Sequence, residues 1–196
     1  MSDPSVVVLF AHPALERSRV HRRLIEVPRQ LPGVTVRDLY ELYPDFEVDV
    51  AAEQAVLAAH DTIVLQHPLY WYSLPPLLRQ WQDLVLTYGW AYGTHGTALV
   101  GKRLMHVLSA GGGQEAYQAD GRNRFPLEVF LRPCEQTAVL CGMTWLPPWV
   151  VYGTHALSEA QIDERAAGYR DVLSRLASPA DPADPTDPTD RSAHAR

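Results

Sequence analysis

Three short stretches concentrate the residue types that bind or transform a ligand. Residues 12–23, His-Pro-Ala-Leu-Glu-Arg-Ser-Arg-Val-His-Arg-Arg, set Arg17, Arg19, Arg22 and Arg23 within seven positions, beside His12, His21 and Ser18. Cations at the start of a helix oppose its macrodipole, at a cost of about 0.3–1 kcal/mol each. An anion held there removes that cost. First-turn amides point outward and Ser18 adds a hydroxyl, so the stretch suits a phosphate monoester; the alternative is a solvated basic helix face. Residues 66–76, Gln-His-Pro-Leu-Tyr-Trp-Tyr-Ser-Leu-Pro-Pro, place three aromatics in a row. A planar ligand can lie against such a loop while backbone N–H groups meet its edge, although Tyr70, Trp71 and Tyr72 equally suit a subunit contact or the core. Residues 109–117, Ser-Ala-Gly-Gly-Gly-Gln-Glu-Ala-Tyr, carry three consecutive glycines. These let backbone approach a flat ligand closely and supply unhindered amides, or they form a flexible turn.

Several chemistries lack their motifs. GxGxxG, GxxxxGK[ST] and GxSxG do not occur, which weakens dinucleotide Rossmann, P-loop and nucleophile-elbow readings. His12, His67 and His106 have no HxxxH spacing or carboxylate cluster beside them, so they read as hydrogen-bonding histidines and no metal site is expected. Cys134 and Cys141 are seven apart, about 10 Å along one helix face, too far to pair; this points to a reducing, cytoplasmic setting.

The elements that must hold these stretches alternate regularly. Apolar, β-branched runs at 6–11, 34–38, 62–66, 104–109 and 145–152 predict strands, the last containing Pro147-Pro148. Helical patterns fall at 19–29, 51–59, 74–88, 127–141 and 158–176, with Ser158 as a cap and Glu159 and Asp163 near the positive helix end. Five strands alternating with five helices predict a doubly wound α/β domain, a parallel sheet with helices on both faces. The continuously apolar runs Val6–Phe10 and Ile63–Leu65 suit strands buried on both sides. The usual strand order is 2-1-3-4-5, with ligands outside the carboxyl ends of strands 1, 3 and 4, where the three stretches lie.

With 196 residues, 46% hydrophobic and 20% charged, the chain supports one domain, expected over residues 1–177. Residues 178–196 place Pro179, Pro182, Pro185 and Pro188 at period three among aspartates, a composition expected to remain an extended, disordered tail. No apolar run approaches the roughly 20 residues of a membrane span, and no secretory signal is expected. A net charge of −6 disfavours nucleic acid as a partner.

Specific stretches resemble a known family: Phe10-Ala11-His12-Pro13, Leu39–Phe46 (Leu-Tyr-Glu-Leu-Tyr-Pro-Asp-Phe), His67–Leu78, Gly89-Trp90-Ala91-Tyr92-Gly93 and Cys141–Pro148 (Cys-Gly-Met-Thr-Trp-Leu-Pro-Pro). From Val6 to Leu176 the chain resembles the NAD(P)H:quinone oxidoreductases of flavodoxin-like fold, most closely the short bacterial members that serve as ancillary subunits of glutathione-regulated potassium-efflux systems. The resemblance implies that His12 and the turn of Ser18, Arg19, Val20 and His21 hold a flavin's phosphate and ribityl end. It implies that Pro68, Leu69, Tyr70 and Trp71 run along the isoalloxazine, and that Ala110, Gly111, Gly112 and Gly113 meet its pyrimidine edge. Tyr117 falls where family members carry a tyrosine beside the substrate; Asn123 stands where they carry its partner histidine, and His21 where an asparagine is usual.

The implied cofactor is FMN, with FAD the alternative, since the chain lacks the C-terminal extension of longer FAD-using relatives. NADPH or NADH would be co-substrate and a quinone or other two-electron acceptor the oxidant, in ping-pong hydride transfer. The resemblance also implies a homodimer in which the partner contributes through the Gly89–Gly96 loop, the alternative being an intramolecular lid. A further implication is regulation of a membrane potassium/proton antiporter, placing the chain in the cytoplasm or on the cytoplasmic face of the inner membrane.

Overall fold

A computed structural model describes residues 5–178; of the tail predicted over 178–196, all but Ser178 lies outside the described residues. The central sheet is parallel, with strands β1 (Val6–Phe10), β2 (Val34–Asp38), β3 (Thr62–Pro68), β4 (Arg103–Ser109), β5 (Thr144–Trp145) and β6 (Trp149–Val151). Its order is β2-β1-β3-β4-β5, with β6 also paired to β4, the arrangement expected from the sequence. One strand expectation needs correction. Residues 145–152 do not form a single fifth strand: Pro147-Pro148 cannot donate to a ladder, so the segment breaks into β5 beside Arg103–Leu104 and β6 beside Val107–Ser109.

The helices are α1 (Arg19–Arg29), α2 (Leu39–Leu42), α3 (Val50–Ala59), α4 (Pro76–Val85), α5 (Leu127–Leu140) and α6 (Glu159–Leu176). Asp49 caps α3 by accepting from Ala52 N–H, and Ser158 and Gln161 close a reciprocal capping box on α6. α4 is shorter than its apolar pattern. Proline disfavours helical backbone in the residue before it, so the helix starts at Pro76, and it stops before the left-handed Gly89. The one-turn α2 carries no helical period in the sequence; Asp38 accepts from Glu41 N–H and starts it directly off β2.

Every side chain of β1 is fully buried, and alternate residues serve opposite layers. Val7 and Leu9 pack with Leu57, Leu77, Leu78, Trp81 and Ala138 from α3, α4 and α5. Val6 and Val8 pack with Leu24, Ile162, Tyr169 and Leu173 from α1 and α6. Truncating one of these leucines to alanine costs about 2–5 kcal/mol. Phe10 aligns with Gln66, and Pro68 with Ser109, so the first, third and fourth strands end at one edge. That shared edge positions the site.

One charge lies inside the first layer. Glu53 is fully buried and accepts from Arg37, from Tyr43 Oη at 2.7 Å and from Trp81 Nε1 at 2.9 Å. Burial and then the bond to Glu53 push the Tyr43 hydroxyl up to about 12, so it remains a donor.

Candidate functional site

A cleft of about 540 Å³ opens at the carboxyl edge of the sheet. One end is the first turn of α1 and the short 3₁₀ turn before it, contributing Arg17, Ser18, Arg19 and Val20; Pro68, Leu69 and Tyr70 form a wall with Ser109 and Gly111. Ser18 is the N-cap, its Oγ accepting from His21 N–H at 3.0 Å. Two of the four arginines are already engaged: Arg19 pairs with Glu159 and Arg23 with Asp163 at 2.5 Å. Carboxylates from α6 therefore balance part of the positive charge at this helix start. Arg17 lines the cleft.

Histidines support the cleft from within. His12 Nδ1 accepts from Ala14 N–H at 3.1 Å, which leaves the proton of the neutral ring on Nε2. Burial lowers its pKa, with Glu16 acting in the opposite sense. His21 lies fully buried behind the cleft, its ring 5.1 Å from that of His12 and its Nε2 2.9 Å from Ser109 Oγ. Burial, then repulsion from His12 and His67, hold His21 well below the usual imidazole range.

His67 Nδ1 donates to the Pro68 carbonyl at 3.0 Å, so its Nε2 accepts, at 2.9 Å, from His106 Nδ1–H. Burial pushes His67 down to about 4 and His106 down as well. The pair turns the Pro68 carbonyl inward at the strand exit.

The aromatic stretch forms a tight turn. Trp71 and Tyr72 have φ of 49° and 61°, a left-handed pair closed by Tyr70 N–H to the Ser73 carbonyl at 3.1 Å and Ser73 N–H to the Tyr70 carbonyl at 2.9 Å. Non-glycine residues there cost about 1–2 kcal/mol each. Trp71 is consequently thrust outward, 93% exposed, while Tyr70 remains on the cleft.

The glycine stretch stands against the loop after β6. Gly153 N–H donates to the Gly112 carbonyl at 2.9 Å and Thr154 N–H to that of Ala110 at 3.3 Å. Among the described residues nothing accepts from the N–H groups of Gly111, Gly112 or Gly113. A Cβ on Gly111 would meet His155 Nε2 at 3.1 Å, and one on Gly112 would meet the Tyr117 ring at 3.3 Å and Asn123 Nδ2 at 3.6 Å. Tyr117 is buried between the rings of Tyr152 and Phe130, and Asn123 Oδ1 accepts from Tyr72 Oη at 3.2 Å.

The profile of the flavodoxin-like fold matches residues 4–173. The chain belongs to that family. A relative from Klebsiella aerogenes, the glutathione-regulated potassium-efflux system ancillary protein KefF, is 44% identical over 168 residues, covering 86% of this chain and 94% of its own. The solved general stress protein 14 of Treponema denticola, a complex with FMN, is 39% identical, covers 88% of this chain and 99% of its own, and superposes with a TM-score of 0.84. An NADPH-quinone reductase from P. pentosaceus is 32% identical, covers 90% and 99%, and has a TM-score of 0.79.

Within this flavodoxin-like domain, His12, Ser18, Arg19, Val20, Pro68, Leu69, Tyr70 and Gly111 come together on the cleft. His21 sits one layer behind it, Ala110 is buried at the strand end, and Trp71 faces solvent. Gly112 stands with Tyr117 and Asn123 beside the cleft wall, while Gly113 lies against Gly153. The chain adds Ala14, Arg17, Ser109, Thr154 and His155 to the lining. Thr154 and His155 follow the last strand, and the rule that ligands gather at strand carboxyl ends marks that loop as well.

Proposed function

We propose that this chain is an FMN-dependent NAD(P)H:quinone oxidoreductase. The observation that carries the reading is the cleft itself, where a helix start with Arg17 and Ser18, a Pro68–Tyr70 wall and the uncommitted amides of Gly111–Gly113 converge at the sheet's carboxyl edge. This donor set fits a phosphorylated, planar, acceptor-rich group, and the FMN complex of a 39% identical relative supports it. When bound, FMN supplies two-electron hydride chemistry between a nicotinamide and a quinone. Arg17, Ser18 and the amides of Arg19 and Val20 bind the phosphate, and His12 Nε2–H donates beside them. Pro68, Leu69 and Tyr70 orient the ring. The amides of Gly111–Gly113 hold negative charge at its edge in a partly dry site. Tyr117, whose ring stands beside Gly112, would meet the acceptor; burial and then Tyr72 raise its pKa, so it remains protonated and would donate. Asn123, bonded to Tyr72, substitutes polarity for the proton a histidine would carry.

FMN rather than FAD, and NADPH as readily as NADH, are the cofactors of this reading. Trp71, Tyr72, Tyr88 and Phe125 are exposed aromatics that a second copy would cover in a homodimer. The second reading is an ancillary subunit at a potassium/proton antiporter on the cytoplasmic face of the inner membrane; it is favoured by the 44% identical relative named as an ancillary protein of a glutathione-regulated potassium-efflux system. No helix among the described residues is long and apolar enough to cross a membrane, so such an association would be peripheral.

The visible spectrum of purified protein tests the main reading, with released cofactor identified by mass and the sample mixed anaerobically with NADPH and then a benzoquinone. Bound FMN that bleaches with nucleotide and recolours with quinone is expected; a chain that neither retains nor rebinds flavin refutes the reading. Antiporter activation lost through surface substitutions that spare quinone reduction would establish the second role.

A further inference from the structure

We propose that His21 is a positioning residue that fixes the Ser109 hydroxyl as a hydrogen-bond donor to the polyol segment of a bound flavin, an inference that rests on the flavin reading above. Ser109 is placed for such a contact. It lines the cleft, its Oγ reaches the first turn of α1 through His21 Nε2 at 2.9 Å, and its carbonyl accepts from Leu69 N–H at 2.8 Å within the Pro68–Tyr70 wall. It therefore stands between the end suited to phosphate and the wall suited to the planar ring.

Which way the hydroxyl points depends on the His21 tautomer. With the proton on Nδ1, a fully buried N–H would have no acceptor, because Nδ1 has no partner inside the chain. With the proton on Nε2, the unpaired group is a lone pair, which buried structure tolerates more readily than an orphaned N–H. Nε2–H then donates to Ser109 Oγ, and the serine's own proton is directed to the cleft. His21 stays neutral, since burial and the neighbouring His12 and His67 all oppose its charging. A neutral imidazole that donates to Ser109 Oγ occupies one of its lone pairs and leaves the serine proton free to be given to a ligand oxygen.

Because buried Ser109 stands between the α1 turn suited to a phosphate and the Pro68–Tyr70 wall suited to a ring, the contact is assigned to the polyol that joins the two. Three ligands separate these parts: FMN, riboflavin, which lacks the phosphate, and lumiflavin, which lacks the polyol as well. Affinities are read by quenching of flavin fluorescence on the full chain freed of flavin. Ser109→Ala is expected to weaken FMN and riboflavin together by about 3- to 10-fold, the size of one neutral hydrogen bond, and to leave lumiflavin within twofold. His21→Leu should weaken the same two ligands, the double variant should be no weaker than Ser109→Ala, and His21→Gln, whose amide nitrogen can reach the Nε2 position, should restore binding.

Equal losses for lumiflavin would show a merely structural role and overturn the proposal. So would a loss confined to FMN, or none at all. Ser109→Ala removes a single oxygen and decides the serine contact; where His21→Leu fails to fold, His21→Gln decides the histidine's part, with binding at the native level expected and a loss as large as that of Ser109→Ala overturning the positioning role. A native chain that binds none of the three flavins overturns the flavin reading itself and this inference with it.

Discussion

Lowering the pH from 7.5 to 5 should destabilise this domain through histidines that the fold keeps neutral. His67 is fully buried and its pKa falls to about 4, against about 6.5 in an unfolded chain. A base whose folded pKa is depressed costs nothing above pH 6.5, where both states are neutral. As pH falls from 6.5 towards 4, only the unfolded chain takes up the proton, and stability drops. For His67 alone the loss by pH 5 is about 2 kcal/mol. His21 and His106, also lowered by burial, act in the same direction. Urea unfolding between pH 7.5 and 5, with the slope against denaturant held constant, measures the effect above the range where ordinary carboxylates titrate. His67→Gln should be less stable than the native chain at pH 7.5, because the His106 and Pro68 contacts are disturbed, yet its stability should fall less steeply below pH 6.5. Stability that is flat from pH 6.5 to 5, or a pH dependence untouched by His67→Gln, would refute the assignment of His67 as a neutral link between His106 Nδ1–H and the Pro68 carbonyl.

Other perturbations address separate parts of the molecule. Glu53→Ala strips Arg37, Tyr43 and Trp81 of their shared buried acceptor and should cost about 3–5 kcal/mol in chemical denaturation, because it leaves a partly buried cation unpaired. Gly111→Val places branched carbon against His155 and into the cleft, and should lower FMN affinity at least about tenfold, read by fluorescence quenching, with far-ultraviolet dichroism unchanged. Trp71→Gly removes the exposed ring and relieves a left-handed tryptophan, so sedimentation equilibrium should shift towards monomer if the aromatic tip meets a second copy. Arg19→Ala should change stability by no more than about 1 kcal/mol, since its ion pair with Glu159 is exposed, which thermal unfolding would show.

The sheet was legible because its strands are buried on both faces and therefore read as unbroken apolar runs. Val6–Phe10 and Ile63–Leu65 fixed the centre, and the alternation with helices fixed the parallel order. The failures lie where local chemistry overrides pattern. Apolar and aromatic residues either side of Pro147-Pro148 look like one strand until the missing donors divide them. The α2 turn is too short to show a helical period, and only the Asp38 cap marks it. In the site, strand ends located the three loops, but not the pairing of Arg19 and Arg23 with acids 140 positions away, nor the outward turn of Trp71. Pairings of that range depend on how α1 packs on α6, which no local spacing records.

The buried histidines show what connects the legible part to the hidden part. A histidine placed in an apolar strand is an anomaly by hydropathy alone, and His67 and His106 reside in β3 and β4 among fully buried neighbours. Burial keeps them neutral, and a neutral imidazole has one donor and one acceptor at opposite edges of a rigid ring. That geometry transmits direction: His106 orders His67, and His67 orders the Pro68 carbonyl at the cleft wall. His21 does the same for Ser109 from the other side. A charged lysine or arginine in these positions could not remain buried unpaired, and an aliphatic residue would fill the space without fixing the polar groups above it. The same burial that makes the histidines look out of place in the sequence is what lets them orient the cleft, and the acid sensitivity argued above is the thermodynamic consequence of that arrangement.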